Sequence, residues 1–291
     1  RLWYYNAQLW YNFITQDFLA CYTYATRWTE LFYRAPKMID LNPVFYLRGA
    51  QYLLEALFFI GDVSRFQLAL ERLEQTLDRP SFPQRENVQS LAFLYRYGHK
   101  LNAHFMAGTF QEGLRLVEPV LEGIDHYREK IDEHHVMIFY YKIACLYFGC
   151  GQYKLCIQYL GLIIENKSLG MREDLLCFSR ILNLVAHYEA GIDYQIERLI
   201  RSTYKFLIKM EDLHQVQRAM ISFIRSLTEV YPHEIKKSFK VLHTTLSQYK
   251  DDPFERRSFL YLDILTWLQS NIEGKSIPEI IQQRVAQATS K

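Results

Sequence analysis

Residues Tyr140–Ile164, YYKIACLYFGCGQYKLCIQYLGLII, decide the fold. Apolar residues recur at helical spacing on both sides of Gly149-Cys150-Gly151: Ile143, Ala144 and Tyr147 before it, then Leu155, Cys156, Tyr159, Leu160 and Ile163 after it. The spacing predicts two amphipathic helices joined by a tight glycine turn. Helices this close in sequence must be antiparallel neighbours. Where they cross, bulky side chains would hold the backbones apart, so small ones are expected. Ala144 and Cys156 meet that need.

Working outward, the same pattern repeats. Leu2 to Tyr33 reads as a hairpin around Thr15-Gln16-Asp17, closed by the Pro36 to Pro43 stretch. Asn42-Pro43 suits a helix start, with Asn as N-cap and Pro in the first turn. Val44 to Ile60 follows, stops at Gly61-Asp62, and Ser64 with Gln67 forms a capping-box pattern for a helix through Leu77. Glu86 to Ala107 turns at Gly108 and restarts at Thr109 with Glu112, and Pro119 should bend that second helix. Beyond the central hairpin lie Arg172 to Ala190 with Asp193 to Met210, then Leu213 to Val230 with His233 to Tyr249. Asp252-Pro253 opens a helix through about Ile272, and Ser276, Pro278 and Glu279 open a last, more polar one. The expectation is an all-α protein, one continuous domain over 1–291, with about six hairpins and a C-terminal capping helix.

Composition agrees. Of 291 residues, 49% are hydrophobic and 23% charged, the balance of a packed globular chain. Gly (12) and Pro (8) are too sparse for a protein of many short strands and turns. The formal net charge of +2 makes nucleic acid an unlikely partner by itself. Glu55 and Lys142 interrupt the longest apolar runs, so no membrane insertion is expected. The 45 aromatic residues are read as bulky fillers between helices, with a stacking groove as the alternative. The chain opens on Arg1 rather than Met, which leaves room for a removed signal peptide or an N-terminal domain.

Ala144, Tyr147, Gly151, Tyr153 and Cys156 together resemble the tetratricopeptide-repeat signature: a small residue, an aromatic one turn on, a glycine, an aromatic two later, then a second small residue. That resemblance implies an α-solenoid, a right-handed superhelix of stacked hairpins. The turn glycines Gly61, Gly108, Gly151 and Gly191 are 47, 43 and 40 residues apart, longer than the family's usual period of about 34. Two other hairpins depart from the signature. The small residue after Gly61 is displaced to Ala69, and Glu197 occupies the corresponding place after Gly191.

No catalytic pattern is present: no phosphate-binding glycine loop, dinucleotide fingerprint or nucleophile elbow. Cys145, Cys150 and Cys156 lack the paired spacing of a zinc site. With Cys21 and Cys177 they read as free thiols in a reducing, cytoplasmic setting. His134 and His135 are adjacent, point to different helix faces, and with His126 read as part of a solvated acidic segment. No cofactor and no metal is expected. Arg198, Arg201, Lys205 and Lys209 share one helix face, a solvated surface or a docking patch for an acidic partner or nucleic acid.

In tetratricopeptide arrays the first helices of successive hairpins line a concave groove that binds peptides. Carried onto this chain by its turn glycines, the resemblance implies a groove of Arg48, Gln51, Glu55 and Phe58, then Tyr95, Asn102 and Phe105, then Ile138, Tyr141 and Phe148. The function it implies is a non-catalytic scaffold or adaptor binding a protein or peptide. The alternatives are a regulatory domain of a longer protein acting on DNA or RNA, and an enzyme with a site between helices.

Overall fold

The computed structural model describes residues 2–166, 173–209, 215–227, 234–250 and 263–289, together with Asp252 and Glu255. Among these the protein is all-α, with no strand. The chain packs into two compact units, residues 1–107 with 115–131, and residues 108–114 with 132–291.

In the first unit, α1 (Leu2–Ile14) and α2 (Phe18–Arg34) form a hairpin, followed by the short α3 (Lys37–Leu41). The Pro36 to Pro43 stretch therefore contains a helical turn where only a break was expected. Then come α4 (Pro43–Ile60), α5 (Val63–Leu77) and α6 (Glu86–Ala107). Each helix packs on its neighbours in sequence, α2 on α4, α4 on α5, α5 on α6, and α4 also touches α6. Pro43 occupies the first turn of α4 as expected, although the Asn42 side chain makes no capping bond. Helix α5 starts earlier than Ser64 predicts. Asp62 is the N-cap, accepting the Arg65 N–H at 2.9 Å, so Ser64 lies inside the helix and caps nothing. The crossing position five residues after Gly61 is then Phe66, fully buried, and not Ala69.

The core of this unit is aromatic. Trp28 is buried, and its indole N–H donates to the Phe45 carbonyl at 2.9 Å. Its ring lies where a side chain on Gly49 would have to go, so the α2–α4 crossing is built from one tryptophan and one glycine. Buried Tyr46 donates to Thr76 Oγ1 at 3.0 Å, and Thr76 in turn donates to the Arg72 carbonyl. A buried hydroxyl without such partners would cost about 1–3 kcal/mol.

The helix expected across Pro119 is divided. Helix α7 (Phe110–Gly113) runs into a 3-10 turn at Leu114–Leu116, and α8 (Val117–His126) starts afresh. Pro119 sits in the first turn of α8, where its missing N–H costs nothing, and its ring would clash with the carbonyl of residue 115 in a continuous helix. The break lets α7 belong to the second unit and α8 to the first. The Thr109 side chain makes no cap bond, so the expected capping box with Glu112 is not formed.

The second unit contains α9 (Glu133–Gly149), α10 (Tyr153–Ile164), α11 (Glu173–Glu189), α12 (Asp193–Lys209), α13 (Gln215–Leu227), α14 (Ile235–Ser247), α15 (Ile264–Glu273) and α16 (Ile277–Thr289). Packing again runs from neighbour to neighbour, and the first helices α9, α11 and α13 touch one another in series. The turn at Gly151 ends α9 as its sequence predicts. Gly151 has φ +71°, its N–H donates to the Phe148 carbonyl, and the Gln152 N–H reaches back to Tyr147. This pair of bonds satisfies the last carbonyls of the helix. Ala144 and Cys156 are both fully buried. Gly149 lies inside α9 rather than in the turn, and the Phe110 ring fills the space a side chain there would need.

After Gly191 the crossing residue is buried Ile196, while Glu197 is exposed and pairs with Arg201 at 3.9 Å. Asp252 accepts the Glu255 N–H, as an N-cap should, but Pro253 lies outside the described residues. Helix α15 begins only at Ile264, capped by Asp263. Ser276 and Glu279 open α16 as expected, and they do so through a reciprocal capping box. Glu189, at the end of α11, ties α15 down by accepting from Trp267 Nε1 at 2.6 Å and Asn271 Nδ2 at 3.2 Å.

Candidate functional site

The ten residues of the implied groove divide between the two units. Seven lie on α4 and α6 of the first unit. Arg48 is exposed; Gln51, Glu55 and Phe58 are half-buried along the same stripe of α4. Tyr95 and Phe105 are half-buried on α6, and Asn102 is buried.

One buried histidine joins the two helices. His99 of α6 brings Nε2 to 2.7 Å from Gln51 Oε1, and its Nδ1 is 3.5 Å from Asn102 Nδ2. An amide oxygen can only accept, so Nε2 carries the proton and Nδ1 accepts from Asn102. The Phe66 ring meets the imidazole edge to face at 5.9 Å. These contacts fix the rotamers of Gln51 and Asn102. Asn102 is therefore held beneath the surface, its amide turned to His99.

Above this layer, Arg48, Tyr52, Glu55 and Tyr95 act on one another electrostatically. Burial pushes the Tyr95 hydroxyl up to about 12, the Glu55 carboxylate and Tyr52 push the same way, and Arg48 opposes them. Tyr52 is raised by burial and by Glu55, with Arg48 and the Trp10 indole opposing. Its ring packs on Phe13 at 5.4 Å. Both phenols stay protonated at neutral pH. The surface thus offers a guanidinium, a carboxylate and two neutral phenol groups within one patch. It can pair with a backbone amide or carbonyl and present ring faces to side chains. Phe58 is turned toward the core, edge to face with Phe59 at 5.5 Å.

In the second unit, Tyr141 and Phe148 are buried members of the core cluster, and Ile138 packs against that cluster. Tyr141 and Phe148 do not present their rings to a ligand, because α9 is apolar around most of its circumference and buries them. Arg198, Arg201, Lys205 and Lys209 are all exposed on α12, a solvated face. The Asp132 carboxylate caps α9, accepting the His135 N–H at 2.9 Å and facing His135 Nδ1 at 2.7 Å. Among the described residues no group of three or more His, Cys, Asp and Glu side chains is placed to hold a metal. The five cysteines are free; burial pushes Cys21 and Cys145 up to about 12 and Cys150 to about 11. No helix of the described residues is long and apolar enough to cross a membrane.

Sequence reasoning missed three features. Two belong to the α4–α6 region, buried His99 and half-buried Tyr52, and their signal was there: Tyr52 follows Gln51 on α4, and His99 lies one turn after Tyr95. The third is a depression of about 380 Å³ in the second unit, outlined by Gly151 to Leu155 with Glu189 and Ala190. Burial and the neighbouring Glu189 carboxylate push the Tyr153 hydroxyl there up to about 12. Compared with known proteins, the chain matches no family model, no curated protein and no solved structure.

Proposed function

We propose that this chain is a non-catalytic binding scaffold, a tetratricopeptide-like stack of helical hairpins whose first unit recognises an extended protein or peptide segment. The observation that carries the reading is the pre-ordered layer beneath Arg48, Gln51, Glu55 and Tyr95, where His99 and Asn102 hold the amide of Gln51 in place. A surface whose side chains are already held loses less entropy on binding. Mixed ring and polar contacts suit a peptide, because rings supply area and polar groups fix the main chain. The neighbour-to-neighbour packing of hairpins is what such a stack needs.

The test is capture of partners from a native lysate by the wild-type chain, by Arg48→Glu and by Tyr95→Ala. Loss of one aromatic anchor is expected to weaken binding by about 2 kcal/mol, roughly 30-fold. Reversal of the exposed Arg48 charge should act mainly on the salt dependence. Equal capture by all three proteins, each with unchanged helical circular dichroism, would remove this surface from consideration.

A further inference from the structure

Helix α11 buries its polar face as well as its apolar one. Between Leu175 and His187 its polar residues are Ser179, Arg180, Asn183 and His187. At helical spacing these four fall within a single arc of about 100°, shared only with Leu176, and the apolar residues fill the rest of the circumference. Ser179 is 0% exposed, His187 5% and Asn183 8%, while Arg180 is half-buried. A buried polar group is normally hydrogen-bonded, and one that is not calls for an explanation. Ser179 Oγ and Arg180 Nε are buried without a partner. Among the described residues nothing pairs with the Asn183 amide, and no carboxylate meets the Arg180 guanidinium. The bond this arc does make runs from His187 Nδ1 to the Asn183 carbonyl at 2.8 Å, so Nδ1 carries the proton.

Arg180 is the key to what this arc can hold. Its guanidinium lies 4.3 Å from the centre of the Phe206 ring on α12, which fixes its plane and offsets part of its lost hydration. Burial holds its pKa below the ordinary value, with the Cys177 thiol opposing. A cation taken out of water without a counter-charge is costly, and a ring face does not replace an anion. The two helices run antiparallel, so Thr203, one turn before Phe206 and 2% exposed, comes level with Asn183. The layer is therefore rich in donors: a guanidinium fork, an amide NH2 and two hydroxyls, with no carboxylate among the described residues to use them. We propose that this α11–α12 layer binds a small oxyanion, a carboxylate or phosphoryl group, with Arg180 as the ionic contact and Asn183 and Ser179 as further donors. Water could satisfy the amide and the hydroxyls, but it would leave the charge uncompensated. The fork of Arg suits the two oxygens of such a group. The site lies in the second unit, and the α4–α6 surface is a separate claim that does not depend on it.

The measurement is calorimetric titration of the 291-residue chain with inorganic phosphate and, separately, with acetate, at an ionic strength held constant by sodium chloride. One saturable site with a Kd at or below about 1 mM is expected for at least one of the two, and the tighter binder names the group. Arg180→Gln removes the charge and should weaken binding at least about 30-fold, with helical circular dichroism unchanged. Asn183→Asp supplies a carboxylate one turn from Arg180 and should exclude the ligand to the same degree. Lys205→Gln, on the exposed face of α12, should leave binding as it is. A readout that needs no variant is the thermal midpoint of the wild type, which should rise with the bound anion and not with sodium chloride. A wild type that takes up neither anion by roughly 20 mM, some twenty times the expected Kd, overturns the proposal. So does binding that survives Arg180→Gln, or binding lost in Lys205→Gln, since the anion then sits on the exposed basic face.

Discussion

Gln16 is the one described residue other than glycine with a positive φ, at +58°. It closes α1 with the same two backbone bonds that close α9: its N–H donates to the Phe13 carbonyl, and the Asp17 N–H reaches Asn12. The left-handed conformation costs a residue with a side chain about 1–2 kcal/mol, and glycine little. Gln16→Gly should therefore raise stability by about 1 kcal/mol, after allowing for the greater freedom of glycine in the unfolded chain. Gly151→Ala should lower it by a similar amount, because φ +71° must then be adopted by alanine. Urea unfolding of both variants checks the pair, and an equal effect of the same sign would contradict this account. The glycine turns were legible in the sequence from composition alone. The turn at Gln16 was placed correctly, but nothing in its residue type announced a left-handed backbone.

Two of the closest helix contacts rest on a ring seated against a glycine. Gly49 takes the Trp28 indole between α2 and α4, and Gly149 takes the Phe110 ring between α9 and α7. Small residues were expected at the central hairpin, where Ala144 and Cys156 are indeed buried, and departures were expected after Gly61 and Gly191, where the buried residues are Phe66 and Ile196 rather than Ala69 and Glu197. Helical period shows which face of a helix is buried. It does not show which large residue will find a gap on the partner, because that depends on the axial offset between helices. Gly49→Ala should cost on the order of 1–3 kcal/mol by overpacking, since a fully buried indole bonded to the Phe45 carbonyl has little room to yield. Gly98→Ala on α6 meets nothing within 4 Å and should be neutral or slightly stabilising. Thermal unfolding of the two variants separates local packing from helix propensity.

Across the whole molecule, the buried thiols make stability depend on alkaline pH. Folding raises Cys21 and Cys145 to about 12 and Cys150 to about 11, above the roughly 8.5 of a thiol in the unfolded chain. A raised pKa on an acid means the fold favours the neutral form. The contribution is complete below about pH 8.5 and is lost as pH rises toward 11–12, where the unfolded chain has already released its protons. Thermal midpoints are expected to hold between pH 7 and 8 and to fall by several degrees by about pH 10.5, and a flat profile would show the thiols to be accessible. By itself the sequence determined most of the helices and the glycine turns, because these depend on residues three to five apart, while of the expected caps Asp252 and Ser276 hold and Asn42, Ser64 and Thr109 do not. It also pointed to the polar stripe of α4, since Arg48, Gln51 and Glu55 follow the same local period. Only the tertiary structure decided that Tyr141 and Phe148 are core, that His99 ties Gln51 to Asn102, and that α11 buries its polar arc. Those outcomes are set by which faces meet across separate helices, and a one-dimensional period carries the spacing of a face but not the identity of what covers it.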